Sequence, residues 1–236
     1  MKAMILAAGL GTRLKPFTEQ HPKALLPINN KTLLQRNIEY VKQAGITEIV
    51  INIHHFGQQI IDFLNTHNNF GCHIQISDER EELLETGGGL LKARHLLEDS
   101  PFVLLNADIL THLDLSKMIA YHNQCKPLVT LAVSQRISSR QLEFNQNMSL
   151  CGWKNLNTGE HIHTGSQVAY ERAFSGIHII DPALFERITE TGKFSIIPTY
   201  LRLMEEYDLK GFDHTGIEVL DVGKPENIDR AERYFK

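Results

Sequence analysis

The amino-acid sequence predicts an α/β protein: a Rossmann-like, mostly parallel sheet flanked by helices, with a β-hairpin insertion. Two observations predict it. Short apolar runs alternate with amphipathic segments through the first half of the chain, and such alternation implies right-handed βαβ crossovers and hence parallel strands. The two segments richest in chemistry, residues 9–13 and 106–108, each follow a predicted strand directly. In open sheets of this kind ligands bind beyond the carboxyl ends of the strands.

Each element has its own signal. Residues 2–7 are a short apolar run of the buried-strand type. Residues 32–44 place Leu33, Leu34, Ile38 and Val41 at helical spacing and stop at Gly45, a residue suited to end a helix. Residues 48–53 are β-branched and read as a strand. A second helix is expected over 58–67, a third strand over 73–77 and a glycine-opened helix over 89–98. A fourth strand over 102–105 runs into Asn106-Ala107-Asp108. A helix over 114–123 then leads to a strand over 128–134.

The second half is less regular. Residues 144–169 are rich in Asn, Gly, Thr and His around the single tryptophan, Trp153, and Asn157-Thr158-Gly159 is a turn signal. This stretch is expected to leave the main sheet as an insertion of about 142–170 within one domain covering residues 1–236. A core strand over 174–180 follows. A helix over 195–207 accommodates Pro198 in its first turn. A last strand over 217–222 and a last helix over 225–234 complete the chain.

Composition removes several function classes. With 42% hydrophobic and 22% charged residues, the chain is composed like an ordinary folded domain. A net charge of -4 argues against a nucleic-acid partner, since such binders carry a basic excess. Cys72, Cys125 and Cys151 are scattered without a CxxC pair, so neither a cysteine zinc cage nor a disulfide framework is expected. The apolar N-terminal run is too short for a secretory leader, and no run approaches the ~18 residues of a membrane span. The expectation is a cytoplasmic protein with no membrane partner, monomeric or homodimeric.

Glycines at 9 and 11 after a strand let backbone N–H groups approach phosphate oxygens, and Arg13 adds a planar cation for the same target. The spacing is not the GxGxxG dinucleotide fingerprint, because Lys15 and Pro16 stand where a third glycine and a helix should be, and no GK[ST] of a Walker loop follows. An NAD-dependent oxidoreductase is thereby disfavoured. Two strand-end carboxylates, Asp108 and Asp221, have the chemistry to hold a divalent cation. Either alone reads equally well as a helix cap. Their recurrence at two strand ends favours the metal reading for Asp108.

Taken together, residues 6–16 (LAAGLGTRLKP), Thr18 and residues 22–27 (PKALLP) resemble the signature of the sugar-1-phosphate nucleotidyltransferases. Glu85-Thr86-Gly87-Gly88-Gly89 resembles that family's second, base-facing loop. Asn106-Ala107-Asp108 resembles its metal-binding Asn-Gly-Asp, with alanine in place of glycine, and Asp221-Val222-Gly223 its late Asp-x-Gly element. The resemblance covers nearly the whole chain and is strongest to small bacterial uridylyltransferases acting on N-acetylmuramate 1-phosphate. Related small enzymes are mannose- or heptose-1-phosphate guanylyltransferases.

The resemblance implies a Mg²⁺-dependent enzyme that joins an NTP, UTP or GTP, to a sugar 1-phosphate and releases pyrophosphate. It assigns Arg13 and Lys23 to catalysis. Ala7, Ala8, Gly9, Gly11, Thr12, Glu85, Gly87 and Gly88 are assigned to the nucleotide, Asn106, Ser175 and Gly176 to the sugar, and Asp108 and Asp221 to the metal. N-acetylmuramate 1-phosphate with UTP is the favoured pair; a non-catalytic sugar-nucleotide sensor of the same fold is the alternative of another class.

The chain departs from larger relatives of that family in lacking a central Glu-Lys-Pro segment that grips the sugar phosphate. Glu171-Arg172 is a poor replacement, and Lys193 or Arg202 are the remaining candidates. His161 and His163 are two apart and share a strand face, yet no third ligand with typical spacing is evident, so a polar hairpin surface is expected. Trp153 is expected to anchor the hairpin to the body.

Overall fold

The apolar runs become the middle of a ten-stranded sheet in a computed structural model that describes residues 1–236. In chain order the strands are β1 (Lys2–Leu6), β2 (Pro27–Ile28), β3 (Lys31–Thr32), β4 (Glu48–Ile53), β5 (His73–Asp78), β6 (Phe102–Asn106) and β7 (Ile109–Thr111). There follow β8 (Val129–Ser134), β9 (Arg140–Phe144), β10 (Leu150–Asn155), β11 (His161–His163), β12 (Tyr170–Ile180), β13 (Leu209–Asp213) and β14 (Val219–Asp221). The helices are α1 (Leu33–Gln43), α2 (Gly57–Thr66), α3 (Glu85–Lys92), α4 (Arg94–Leu97), α5 (Leu115–Cys125), α6 (Ile196–Leu203) and α7 (Ile228–Tyr234). None is long and apolar enough to cross a membrane.

Strands β6, β1, β4 and β5 lie side by side and parallel. Alternate residues serve opposite faces, as period-two geometry requires. Ala3, Ile5, Ile49, Ile51, Val103 and Leu105 enter one core, and Met4, Val50, Phe102 and Leu104 the other. Burial on both faces explains why these strands read as continuous apolar runs rather than alternating ones. Leu33, Leu34, Ile38 and Val41 of α1 are all fully buried, as their spacing predicts. Local chemistry sets the helix starts. The Thr32 hydroxyl accepts the Gln35 N–H at 3.1 Å, and the Asp114 carboxylate accepts from Ser116 and Lys117.

Strand β12 reverses the sense of the sheet, pairing antiparallel with both β6 and β8. Its register against β8 shifts between Phe174 and His178, where Gly176 adopts φ 75. This bulge bends the strand beneath the site described below.

Several expectations change. The helix placed at 89–98 begins at Glu85 and breaks at Ala93, because its glycines lie inside the helix rather than before it. The helix expected to Tyr207 ends at Leu203, and the last strand is only Val219–Asp221. Strand β13, whose Lys210 and Asp213 disguise it, covers the outer edge of β8. The insertion is three antiparallel strands, β9 to β11, continued by the first residues of β12, rather than a single hairpin.

Candidate active site

Three strand ends meet at one place. Beyond β6, the Asp108 carbonyl accepts the Val222 N–H at 2.8 Å, and the β7–β14 pair sets Asp221 opposite Ile109. The two carboxylates are thus neighbours although 113 positions separate 108 from 221. Lys23, in the short turn Lys23–Leu25, forms an ion pair with Asp108. Both side chains are mostly withdrawn from water, at 13% and 22% exposed. A Cβ placed on Gly223 would lie 2.7 Å from Asp221 Oδ1, 2.9 Å from Asp108 Oδ2 and against the Lys23 ammonium. One point is therefore shared by two hard oxygen donors from separate strands and one cation. Oxygen donors on rigid strand ends suit Mg²⁺, which takes one or two carboxylates together with substrate phosphates.

Two pockets open on either side of this point. The smaller, about 360 Å³, lies between the loop after β1 and the start of α3, with Ala7, Ala8, Gly9, Lys23, Glu85 and Thr86 in its wall. The larger, about 1360 Å³, runs under the β9–β11 sheet, with Arg13, Arg136, Arg140, Trp153, Arg202 and Asp221 in its wall. Asn106, Asp108 and Ser195 line both. A molecule in each pocket would meet the other at Asp108.

A buried chain of hydrogen bonds fixes the smaller pocket. The Ala7 N–H donates to Asn52 Oδ1 at 2.6 Å, and Asn52 Nδ2 donates to Glu79 Oε1 at 2.7 Å. The second Glu79 oxygen faces the Leu84 N–H at 3.4 Å. Glu79 is completely buried, and that burial pushes its carboxyl above the ordinary value. These two residues thus tie the loop after β1 to the loop before α3. Sequence reasoning missed both; the signal was a lone polar residue in the otherwise apolar run of β4. Glu85 itself adopts φ 61, a left-handed conformation that a glutamate seldom takes and that often marks a binding site.

Arg136 is the other missed residue. It follows β8, and its guanidinium donates to the Phe174 carbonyl at 2.6 Å. Burial pulls its pKa down while the charge of Asp221 opposes that shift. Its Nε has no hydrogen-bond partner. A partly buried guanidinium with a free donor, in the field of Asp221, is a built-in anion contact.

Of the residues singled out by sequence, Ala7, Ala8, Gly9, Lys23 and Glu85 line the smaller pocket, Arg13, Gly176 and Asp221 the larger, and Asn106 and Asp108 both. The others lie elsewhere. Gly11 shapes the first loop by accepting the Thr18 hydroxyl at 2.9 Å, and Thr12 opens a short turn without lining either pocket. Gly87 and Gly88 are buried, and both their N–H groups donate to the Phe194 carbonyl, at 2.9 and 3.2 Å. Neither N–H is free for a nucleotide. Ser175 is buried behind the wall, its hydroxyl 2.9 Å from His214 Nε2.

Among the candidates for the sugar phosphate, Arg202 lines the larger pocket while paired with Glu190 at 3.0 Å. Lys193 stands 3.8 Å from Glu85. Arg172 and Glu171 are engaged with Asp213 and Lys154 and line neither pocket. Trp153 packs partly on the second core and also lines the larger pocket, so it does more than anchor.

A Rossmann-like sheet whose edge gathers Asp108 after β6, Asp221 of the small β7–β14 sheet and the turn lysine Lys23, between two pockets, has the layout of an enzyme that handles a nucleotide and a second anionic substrate. A model of the nucleotidyl transferase family matches residues 2–144, and the chain belongs to that family. It is 34% identical to the N-acetylmuramate alpha-1-phosphate uridylyltransferase of Neisseria meningitidis serogroup B, over 98% of this chain and 97% of the relative. It is 28% identical to the mannose-1-phosphate guanyltransferase of Gibberella zeae, over 97% of this chain but only 62% of that protein. Among solved structures, HddC from Yersinia pseudotuberculosis complexed with GMP-PN superposes with a TM-score of 0.79 at 24% identity, covering 100% and 99% of the two chains. A putative glucose-1-phosphate thymidylyltransferase from Bacillus anthracis gives 0.83 at 20% identity, covering 99% and 94%. Both share the fold. The activity is that of a sugar-1-phosphate nucleotidyltransferase.

Proposed function

We propose that the chain transfers UMP from UTP to N-acetylmuramate 1-phosphate, giving UDP-N-acetylmuramate and pyrophosphate, with Mg²⁺ held by Asp108 and Asp221. The choice of substrates rests on the relative matched end to end on both chains; the guanyltransferase relative extends well beyond this chain. The observation that carries the site assignment is the position of Asp108 where the two pockets meet.

In this reading the nucleoside occupies the smaller pocket against Glu85 and Thr86, and the triphosphate runs along residues 7–9 toward Arg13. The sugar phosphate enters the larger pocket, where Arg136 and Arg13 offset its charge. One of its oxygens attacks the α-phosphorus, a new P–O bond forms, the bond to the bridging α–β oxygen breaks, and pyrophosphate leaves. Lys23 holds a positive charge beside the α-phosphate as negative charge builds on it. Asp108 and Asp221 would hold Mg²⁺, which when bound would supply further charge neutralisation on the phosphates. No general base is required, because the nucleophile is already an anion.

The test is pyrophosphate release from each NTP paired with a panel of sugar 1-phosphates, with Asp108→Asn as control. Release with UTP and N-acetylmuramate 1-phosphate, lost in the variant and in EDTA, is the expected result. Release only with GTP and a mannose or heptose phosphate would replace the substrates. Silence with every pair while nucleotide still binds would make the chain a sensor.

A further inference from the structure

We propose that the outer face of the β9–β11 sheet carries a second divalent-cation site, of the zinc class, formed by Glu143, His161 and His163. It shares no residue with the cleft. In the sequence the two histidines lack a third ligand. The fold supplies one from 18 positions upstream of His161, on the strand beyond the next.

The geometry depends on a missing side chain. Glu143 of β9, Gly152 of β10 and His163 of β11 form one cross-strand row. On the middle strand a Cβ at Gly152 would collide with Glu143 Oε2 and lie 3.0 Å from His163 Nδ1. With glycine there, the two outer side chains meet above β10, and His161 joins them from the adjacent row. Glu143 Oε2 lies 2.9 Å from His161 Nε2 and 3.5 Å from His163 Nδ1. One ligand atom from each of the three residues lies within 4.8 Å of the other two. Ligands of a tetrahedral zinc, at ~2.0–2.1 Å from the ion, sit about 3.3 Å apart. The two short edges bracket that spacing.

The Glu143 side chain is only 4% exposed. A carboxylate so buried calls for a cation. Lys154 is 4.0 Å from its Oε1 and much closer to Glu171, so Oε2 faces only imidazoles. Imidazole nitrogens with one carboxylate suit zinc better than magnesium. His163 Nδ1 also lies 2.9 Å from the Cys151 carbonyl, a contact it would give up on taking a metal. His161 is half exposed, which leaves room for water as a fourth ligand.

Such an ion would clamp β9 to β11. The opposite face of the same strands presents Leu142, Trp153 and Ile162 to the larger pocket. Metal binding outside would therefore stiffen the wall inside.

The experiment is isothermal titration of the metal-free full chain with ZnCl₂, without nucleotide or Mg²⁺, backed by the visible spectrum of the Co²⁺ form. One zinc per chain is expected. The His161→Ala/His163→Ala double variant should bind it at least about 100-fold more weakly and lose the cobalt bands. Asp108→Asn should keep both. Should the double variant fail to fold, His161→Gln, altered at a half-exposed side chain, carries the same expectation. Equal zinc affinity in the wild-type and histidine variants, absence of binding by the folded wild type, or loss of binding in Asp108→Asn would each overturn the proposal.

Discussion

Two stretches of this chain carry glycines in quick succession, and the fold uses them in opposite ways. A Cβ at Gly9 would meet nothing within 4 Å, because the residue borders the open cleft. A Cβ at Gly87 would strike the Phe194 ring, one at Gly88 the Gly192 carbonyl, and one at Gly89 the Glu79 carboxylate at 2.5 Å. At Gly9 the first segment leaves its backbone open to the cleft, while Gly11, at φ 62, lets the loop close on Thr18 and Lys23. The second gives up its side chains so that α3 can lie flush against the chain leading into α6. Glycine richness thus has two physical causes, open approach and close packing, and composition alone does not separate them.

If the contrast is right, damage to the first region and its partners should reach activity but spare stability, and damage to the second should do the reverse. The largest effect expected is on Asp108→Asn: kcat falls at least about 10²–10³-fold while the melting temperature stays nearly constant. Pyrophosphate release and calorimetry on the same sample check both halves. Next comes Gly88→Ala, which overpacks a buried backbone contact and should cost ~1–3 kcal/mol. At about 2–4 °C per kcal/mol for a chain of this size, the melting temperature drops by several degrees, with kcat per folded molecule kept in the cold. Gly9→Ala should leave melting unchanged and raise the KM for the nucleotide several-fold; a stability loss there would erase the distinction.

A pH slope probes the second region separately, through buried histidines. Burial pushes His178 down to about 3, and lowers His122 and His214 from the ordinary histidine value. The unfolded chain takes up protons near 6.5 that the folded histidines refuse. Stability is therefore full above that value and is lost as pH falls from 6.5 toward 3 through His178, by up to ~1.4 kcal/mol per pH unit, with His122 and His214 acting in the same direction. His178 lies 3.0 Å from the Tyr200 hydroxyl of α6, so the second region should loosen first on acidification. Urea denaturation across a pH series, read with hydrogen exchange in α6, checks the order.

The sheet was legible because its strands are buried on both faces and its helices carry one apolar stripe. Asp108, Lys23 and Asp221 were singled out because their segments resemble the family's motifs, and the fold gathers all three around Gly223. Arg136, Asn52 and Glu79 were not. Each is a single polar residue at or near a strand end, and only the three-dimensional arrangement distinguishes a buried bridging group from a solvated one. Ser175 misled for the mirror reason: a hydroxyl next to a lining glycine points inward, to His214. Strand β13 escaped because the apolar period is broken by Lys210 and Asp213.

The Phe194 carbonyl that takes two N–H groups from α3 has a bearing on descent. The Thr86 hydroxyl also accepts the Ile196 N–H at 3.0 Å and the Leu84 carbonyl the Phe194 N–H at 3.1 Å, so the entries of α3 and α6 are stitched four times over. Backbone atoms make most of these stitches, and mutation cannot remove them. What mutation can change is the room around them. A lineage that replaces Gly87 must shrink residue 194 in the same period, and one that replaces Gly88 must move the chain at 192. Across diverging copies of this gene, positions 87, 88, 192 and 194 should vary together or stay fixed together, whatever sugar each copy accepts.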